Sequence, residues 1–360
     1  MSLALMTLAI AFGVALFLTP LTIRLANRYG VVAMPNRRSS HALPMPRAGG
    51  LALYLAVLTS LWLAAELTGT LRELARFALA TASVTLVGLL DDVFHLGSYA
   101  KLGGQTAAAC LAVALGFRIE TLHLFSETAI ALGILGAPLS ILWLVAITNA
   151  FNLMDGLDGL AAGSAAIAAL AVGIGSAAAG HPEHAIAALA VASACCGFLV
   201  FNVAPARVFM GDCGSHFLGF ALALLSIKGL SRHEGGFEAP VAGMLFLLPL
   251  YDLVLSVVRR LARGVHPFAA DRKHVHHRLL DFGLSERSAV LGLYFLSCVS
   301  NLTAVALVLG EPLQSVVVML IPAALTTAVL KRVGCFDFGT PPSVVREHSR
   351  SAAPTPALEM

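Results

Sequence analysis

Twelve residues from Asn149 to Leu160, N-A-F-N-L-M-D-G-L-D-G-L, set two amides and two carboxylates directly against long apolar sequence. An ionisable group at membrane depth costs about 2.5–3.5 kcal/mol on insertion scales, so such groups line cavities or sites rather than face lipid. Asn149, Asn152, Asp155 and Asp158 recur at every third position. On a helix that spacing makes one polar strip, suited to the hydroxyl and amide groups of a sugar or nucleoside.

Other residues of the same chemical kind recur elsewhere. Asp91 and Asp92 end an apolar stretch, with Lys101 and Gln105 shortly after. Two adjacent carboxylates need neutralising, by Mg²⁺, by a lysine such as Lys101 or by a proton shared with an anionic substrate. Neighbouring residues on a helix point about 100° apart, so the pair should meet different partners. In F-M-G-D-C-G-S, Asp212 opens a further apolar stretch behind Pro205. A helix N-terminus attracts anions through its free N–H groups, and a carboxylate there with Mg²⁺ would make a pyrophosphate site. Phe209 fits either core packing or stacking beside a nucleobase. His274, His276 and His277 stand among Asp271, Arg272, Lys273 and Arg278. The oxygen-rich partners elsewhere favour Mg²⁺, which rarely uses imidazole, so phosphate recognition suits this loop better than transition-metal binding; the simpler alternative is a basic loop on lipid headgroups. A Pro-rich loop carrying Arg37, Arg38, His41 and Arg47 is a plausible rim.

The elements that must position these groups are transmembrane helices. Of the 360 residues, 58% are hydrophobic and 12% charged, against about 25% charged in soluble domains; mean hydropathy is +0.86. Apolar stretches long enough to span, about 17–25 residues, fall near 3–23, 49–68, 77–92, 102–117, 134–150, 160–179, 185–202, 214–230, 240–258, 289–309 and 313–331. The first lacks a basic leader and a small-residue cleavage site, and reads as a retained helix. The chain is thus expected to be an all-α polytopic membrane protein of about 11 transmembrane helices. Residues 1–335 form one integral membrane unit, and 336–360 a disordered cytoplasmic tail. Six scattered cysteines have no zinc or disulfide spacing and read as small packing residues.

Alternation of eleven spans puts 18 of the 23 Lys and Arg residues on one face, which the positive-inside rule makes cytoplasmic, with the N-terminus outside and the C-terminus inside. All nine aspartates lie on or near that face, whereas eight of eleven glutamates lie on the other. Solvation alone does not sort Asp from Glu. Short carboxylates gathered at helix ends on one face point to coordination or positioning.

Six segments in order along the chain resemble the polyprenyl-phosphate N-acetylhexosamine-1-phosphate transferases: P-N-x-R-x-x-H-x-x-P-x-P-R-x-G-G in the first loop, D-D followed by K-L-x-x-Q, N-x-x-N-x-x-D-G-x-D-G-L, F-M-G-D-x-G-S, P-x-x-D before R-R, and D-R-x-H-x-H-H-R-L. The resemblance covers nearly the whole chain. It implies transfer of a sugar-1-phosphate from a UDP-N-acetylhexosamine to undecaprenyl phosphate, release of UMP, a requirement for Mg²⁺ with Mn²⁺ as a substitute, and a place in the bacterial inner membrane. It makes Asp212 the principal metal ligand and Asp91 the base or orienter for the lipid phosphate, supported by Asp92 and Lys101. Asn149, Asn152, Asp155 and Asp158 would hold the UDP-sugar, with Phe209 near the uracil, and His274, His276 and His277 would contact its phosphates or sugar. One departure stands out: many relatives read D-D-x-x-D where this chain has His95.

H-V-H-H resembles the enzymes that start O-antigen, enterobacterial common antigen or teichoic acid linkage units, and favours UDP-GlcNAc over the MurNAc-pentapeptide donor of peptidoglycan synthesis. A homodimer is compatible with the resemblance; nucleic acid has no role in it. Direct in-line attack by the lipid phosphate is preferred to an aspartyl-phosphate intermediate. A secondary transporter would also bury acids among broken helices, but near the midplane and between repeated halves; the acids here sit at helix ends, and no repeat is apparent.

Overall fold

A computed structural model describes residues 3–34, 44–124, 129–231, 233, 235–264, 266, 273–310 and 312–337. Arg37, Arg38, His41, Asp271, Arg272 and residues 338–360 of the expected tail lie outside the described residues. Thirteen α-helices are present among the described residues: α1 Leu3–Tyr29, α2 Gly49–Thr68, α3 Leu71–Phe94, α4 Ser98–Ala114, α5 Gly136–Met154, α6 Leu160–Ala179, α7 Pro182–Asn202, α8 Gly211–Gly229, α9 Ala239–Leu245, α10 Leu247–Ala262, α11 Val275–Asp281, α12 Glu286–Leu309 and α13 Pro312–Arg332. Each of the eleven apolar stretches coincides with a helix or a helix pair. Seven helices (α1, α2, α3, α5, α6, α7 and α12) are long and apolar enough to cross a membrane, and the bent pair α9–α10 makes an eighth candidate. The protein is an all-α polytopic membrane protein.

The ninth stretch, expected as one helix over 240–258, breaks at Phe246 with an 85° bend. Pro249 explains the break: it has no N–H for the carbonyl of Leu245 one turn back, and its ring crowds that turn. As the third residue of a new helix it costs nothing, because the first turn's N–H groups lack partners anyway. α10 turns Asp252, Ser256 and Arg259 inward and leaves Val254, Val258 and Leu261 exposed. That polarity is the reverse of a soluble helix, as lipid around the bundle requires.

α8 is the axis of the bundle. All its residues except Lys228 are buried, and it packs against α2, α3, α5, α6 and α7. A helix apolar on every side has to be central. Its neighbours come close because facing positions are glycines: Gly50 of α2 lies against the backbone at Gly214, and Gly88 of α3 against the backbone of Asp212. Small residues at such contacts are how membrane helices gain packing where no hydrophobic drive separates protein from lipid.

The connections sort to two ends. At one, β3 (Thr121–His123) pairs antiparallel with β4 (Ala129–Ala131) and parallel with β5 (Gly236–Glu238), a cover the hydropathy pattern does not predict. At the other end lie the C-termini of α3 and α5 and the N-termini of α2, α4 and α8. A short ribbon of β1 (Val32–Ala33) and β2 (Met45–Pro46) leads into α2 there. That second end carries the aspartates.

Candidate active site

The α3 and α8 contact brings Asp91, Asp92 and Asp212 together. Lys101, from the first turn of α4, places its ammonium 2.6 Å from Asp91 Oδ2 and also donates to Asp212 Oδ2. Arg47, just after β2, reaches Asp92 Oδ1 through Nε at 3.1 Å and donates from Nη2 to Asp212 Oδ1 at 2.8 Å. Asp212 thus stands between two cations, and the guanidinium is held more firmly protonated by Asp92 and Asp212 despite its burial. Sequence reading put Arg47 on the rim; it belongs to the centre. The P-R-x-G-G run carried the signal, since Gly49 and Gly50 donate their N–H groups to the carbonyls of Phe209 and Met210 and so tie the arginine to the start of α8.

Asp91 and Asp92 do meet different partners. Asp91 faces Lys101, whereas Asp92 accepts the backbone N–H groups of Asp212 and Cys213, both at 2.9 Å. This corrects the expectation that the first amides of α8 are open to a pyrophosphate. They are taken by the Asp92 carboxylate, which complements the helix dipole from a neighbouring helix.

The polar strip expected from Asn149 to Asp158 is divided. Asn149 donates to Gln105 Oε1 at 2.7 Å, and Gln105 Nε2 lies 3.1 Å from His216 Nε2, a buried amide and imidazole layer beneath the carboxylates. Asn152 donates to Ser215 Oγ at 3.1 Å. α5 then ends at Met154, so Asp155 leaves the helical spacing as its C-cap. Asp158 turns away to accept the Ala206 N–H at 2.8 Å, while Asn202 accepts from Gly159 N–H and donates to Val208 O. The reason is the pair of glycines: Gly159, with φ of 79°, takes the left-handed conformation that starts α6 anew. Asp155 instead joins the carboxylate cluster. Burial first, then the charge of Asp212, pushes its carboxyl up to about 7.

The histidines also separate. His274 Nδ1 lies 3.2 Å from Asp252 Oδ2, and the other oxygen of Asp252 accepts Val275 N–H at 3.1 Å, so α10 holds the start of α11. His276 packs against Gly156, where any side chain would overlap its ring, and stacks on His274 at 5.9 Å. His277 lies 4.3 Å from His276 and is half-buried. Burial and the neighbouring His277 lower His276 to about 3, so its imidazole is neutral around pH 7. Phe209 is half-buried in the segment bonded to Pro46 and Gly49. Asp337, expected in the tail, lies 4.0 Å from Lys273 and from Arg278.

A hard cation fits this donor set. Asp91 and Asp212 already share the ammonium of Lys101, and Mg²⁺ uses one or two carboxylates together with substrate phosphates rather than a full protein cage. Among the described residues, no three His, Cys, Asp or Glu side chains form a metal-holding group.

The profile described as glycosyl transferase family 4 matches residues 74–230, which include Asp91, Lys101, Asp155 and Asp212. A probable undecaprenyl-phosphate N-acetylglucosaminyl 1-phosphate transferase of Bacillus subtilis is 33% identical over 293 residues, 81% of each chain. A decaprenyl-phosphate N-acetylglucosaminephosphotransferase of Mycobacterium tuberculosis is 34% identical over 327 residues, covering 82% of this chain and 80% of its own. An undecaprenyl-phosphate alpha-N-acetylglucosaminyl 1-phosphate transferase of Escherichia coli is 28% identical over 273 residues, covering 74% and 73%. With relatives that share four-fifths of its length, and the motif residues gathered at one end of the bundle, this chain belongs to the polyprenyl-phosphate N-acetylhexosamine-1-phosphate transferases.

Proposed function

We propose that the protein transfers N-acetylglucosamine-1-phosphate from UDP-N-acetylglucosamine to undecaprenyl phosphate, releasing UMP, and so starts a lipid-linked envelope glycan. The observation that carries this reading is the meeting of Asp91, Asp212, Lys101 and Arg47 at helix ends, where a soluble nucleotide-sugar and a membrane-anchored phosphate can both arrive. The relatives' names supply the sugar and the lipid class. An oxygen of the lipid phosphate attacks the β-phosphorus, a new P–O bond forms, and the bond to the bridging oxygen breaks as UMP leaves.

This chain's residues divide the work. Lys101 and Arg47 offer donors to phosphate oxygens, Arg47 in a two-pronged geometry. Asp91 orients the acceptor phosphate. Asp155, with its carboxyl near neutrality, is suited to hold or release a proton at working pH. His276 donates a neutral hydrogen bond to the diphosphate or sugar. Asp212 and Asp91 would hold Mg²⁺, which supplies charge shielding to the transferring phosphoryl group. The basic residues of the same end support a cytoplasmic site in the bacterial inner membrane.

Mixing the purified protein with UDP-GlcNAc, undecaprenyl phosphate and Mg²⁺ should yield UMP, with Asp212→Asn at least 100-fold slower and still folded. Near-normal turnover by that variant would overturn the metal assignment. Preference for UDP-MurNAc-pentapeptide in a donor panel would overturn the sugar. Solute uptake into proteoliposomes with no UMP formed would overturn the enzyme reading.

A further inference from the structure

At the end of the bundle remote from the aspartates, a cavity of about 550 Å³ opens among α2, α3, α7, α8 and the residues just after α4. Arg76 on its wall precedes Asp91 by 15 residues of α3, about 22 Å along the helix axis. The two sites therefore belong to opposite membrane faces.

The depth of the cavity is apolar, lined by Leu61, Ala65, Phe77, Phe117 and Leu225. Its volume lies within the ~300–1,000 Å³ of ligand pockets. Its wall also carries Arg76 and Lys228 together with Glu73 and Glu183. Arg76 is half-buried, and among the described residues no hydrogen bond or ion pair engages its guanidinium. A guanidinium that lines a cavity without a protein partner has its best complement in a phosphate taken through two N–H groups. The carboxylates of Glu73 and Glu183, the latter 3.6 Å from His184 and 3.7 Å from His181, oppose an occupant that carries negative charge alone.

An apolar chamber under two cations and two carboxylates matches a molecule with a hydrocarbon tail, a phosphate and an ammonium. We propose that this cavity binds one zwitterionic glycerophospholipid of the leaflet opposite the active site, with an acyl chain inserted, its phosphate on Arg76 and Lys228, and its ammonium on Glu73 and Glu183. The occupant would wedge between the far ends of α3 and α8, the helices that carry Asp91, Asp92 and Asp212, and so brace the framework of the site from behind.

The test uses the full chain, purified in mild detergent and depleted of lipid, with palmitoyl-oleoyl phosphatidylethanolamine as probe. Native mass spectrometry should find one retained lipid, and its addition should raise Tm. Arg76→Gln/Lys228→Gln should weaken retention about tenfold or more, the loss of roughly 1.4 kcal/mol of binding, while still releasing UMP. Glu73→Gln/Glu183→Gln should shift preference toward palmitoyl-oleoyl phosphatidylglycerol. Three results would overturn the proposal: equal retention by wild type and the Arg76/Lys228 variant, phosphatidylglycerol held as tightly as phosphatidylethanolamine by the wild type, or displacement of the bound lipid by undecaprenyl phosphate.

Discussion

Asp155 is the residue whose charge its surroundings set most finely. Burial and the nearby Asp212 raise its carboxyl from 3.8 to about 7, so it is neutral in mildly acidic solution and ionised above neutrality. If the ionised form takes the proton, turnover should rise through pH 7, and Asp155→Asn should remove that limb from the pH profile. Stability runs the other way. A raised carboxyl pKa stabilises the fold fully below the unfolded value of 3.8 and loses that contribution as pH climbs through about 7. The Tm difference between Asp155→Asn and wild type should therefore move in favour of the variant from pH 5 to pH 8. His276, held neutral to about 3, contributes no ionisation in this range. His276→Ala should raise KM for the UDP-sugar and leave the pH profile unmoved, with His276→Gln, which keeps an N–H donor, recovering part of the loss. Residue identity alone made the aspartates and histidines legible. It could not reveal that Asp92 and Asp158 are satisfied by backbone N–H groups, because both partners lie in other elements.

Asp92 is best understood at the scale of elements, as a carboxylate from α3 that caps α8. Asp92→Asn keeps one acceptor oxygen but gives up the charge at the helix terminus. The expected cost is about 1 kcal/mol of stability, read by thermal unfolding, with a fall in kcat as Asp212 loses its fixed orientation. Gly88→Leu should be worse than Asp92→Asn, because a side chain at Gly88 meets the α8 backbone directly and overpacking of that kind costs roughly 1–3 kcal/mol. Helix positions were readable from hydropathy, with ends displaced by up to six residues, as at Tyr29 and Leu71. The break at Phe246 was not, because an apolar window averages over Pro249. The strands β3, β4 and β5 were not legible either, being three residues each and paired across distant loops.

Over the whole molecule, parity of the spans predicted which loops share an end, and the ion pairs joining Arg47, Asp91, Asp92, Lys101 and Asp212 gather at one such end. Orientation can be tested by cysteine labelling, in a background with the exposed Cys110 and Cys196 replaced by serine. Ile134→Cys, 86% exposed at the sheet end, should react with an impermeant maleimide in intact cells. Tyr99→Cys, 71% exposed at the other end, should react only after permeabilisation; the reverse pattern would invert the topology. The glycine contacts of α8 with α2 and α3 have a wider consequence. Where main chain rests on main chain, spacing is fixed by covalent geometry rather than by rotamers. The carboxylates are thus registered like teeth on a gear, and the lipid-facing side chains of α2 and α3 can be exchanged freely without retuning the chemistry at their tips.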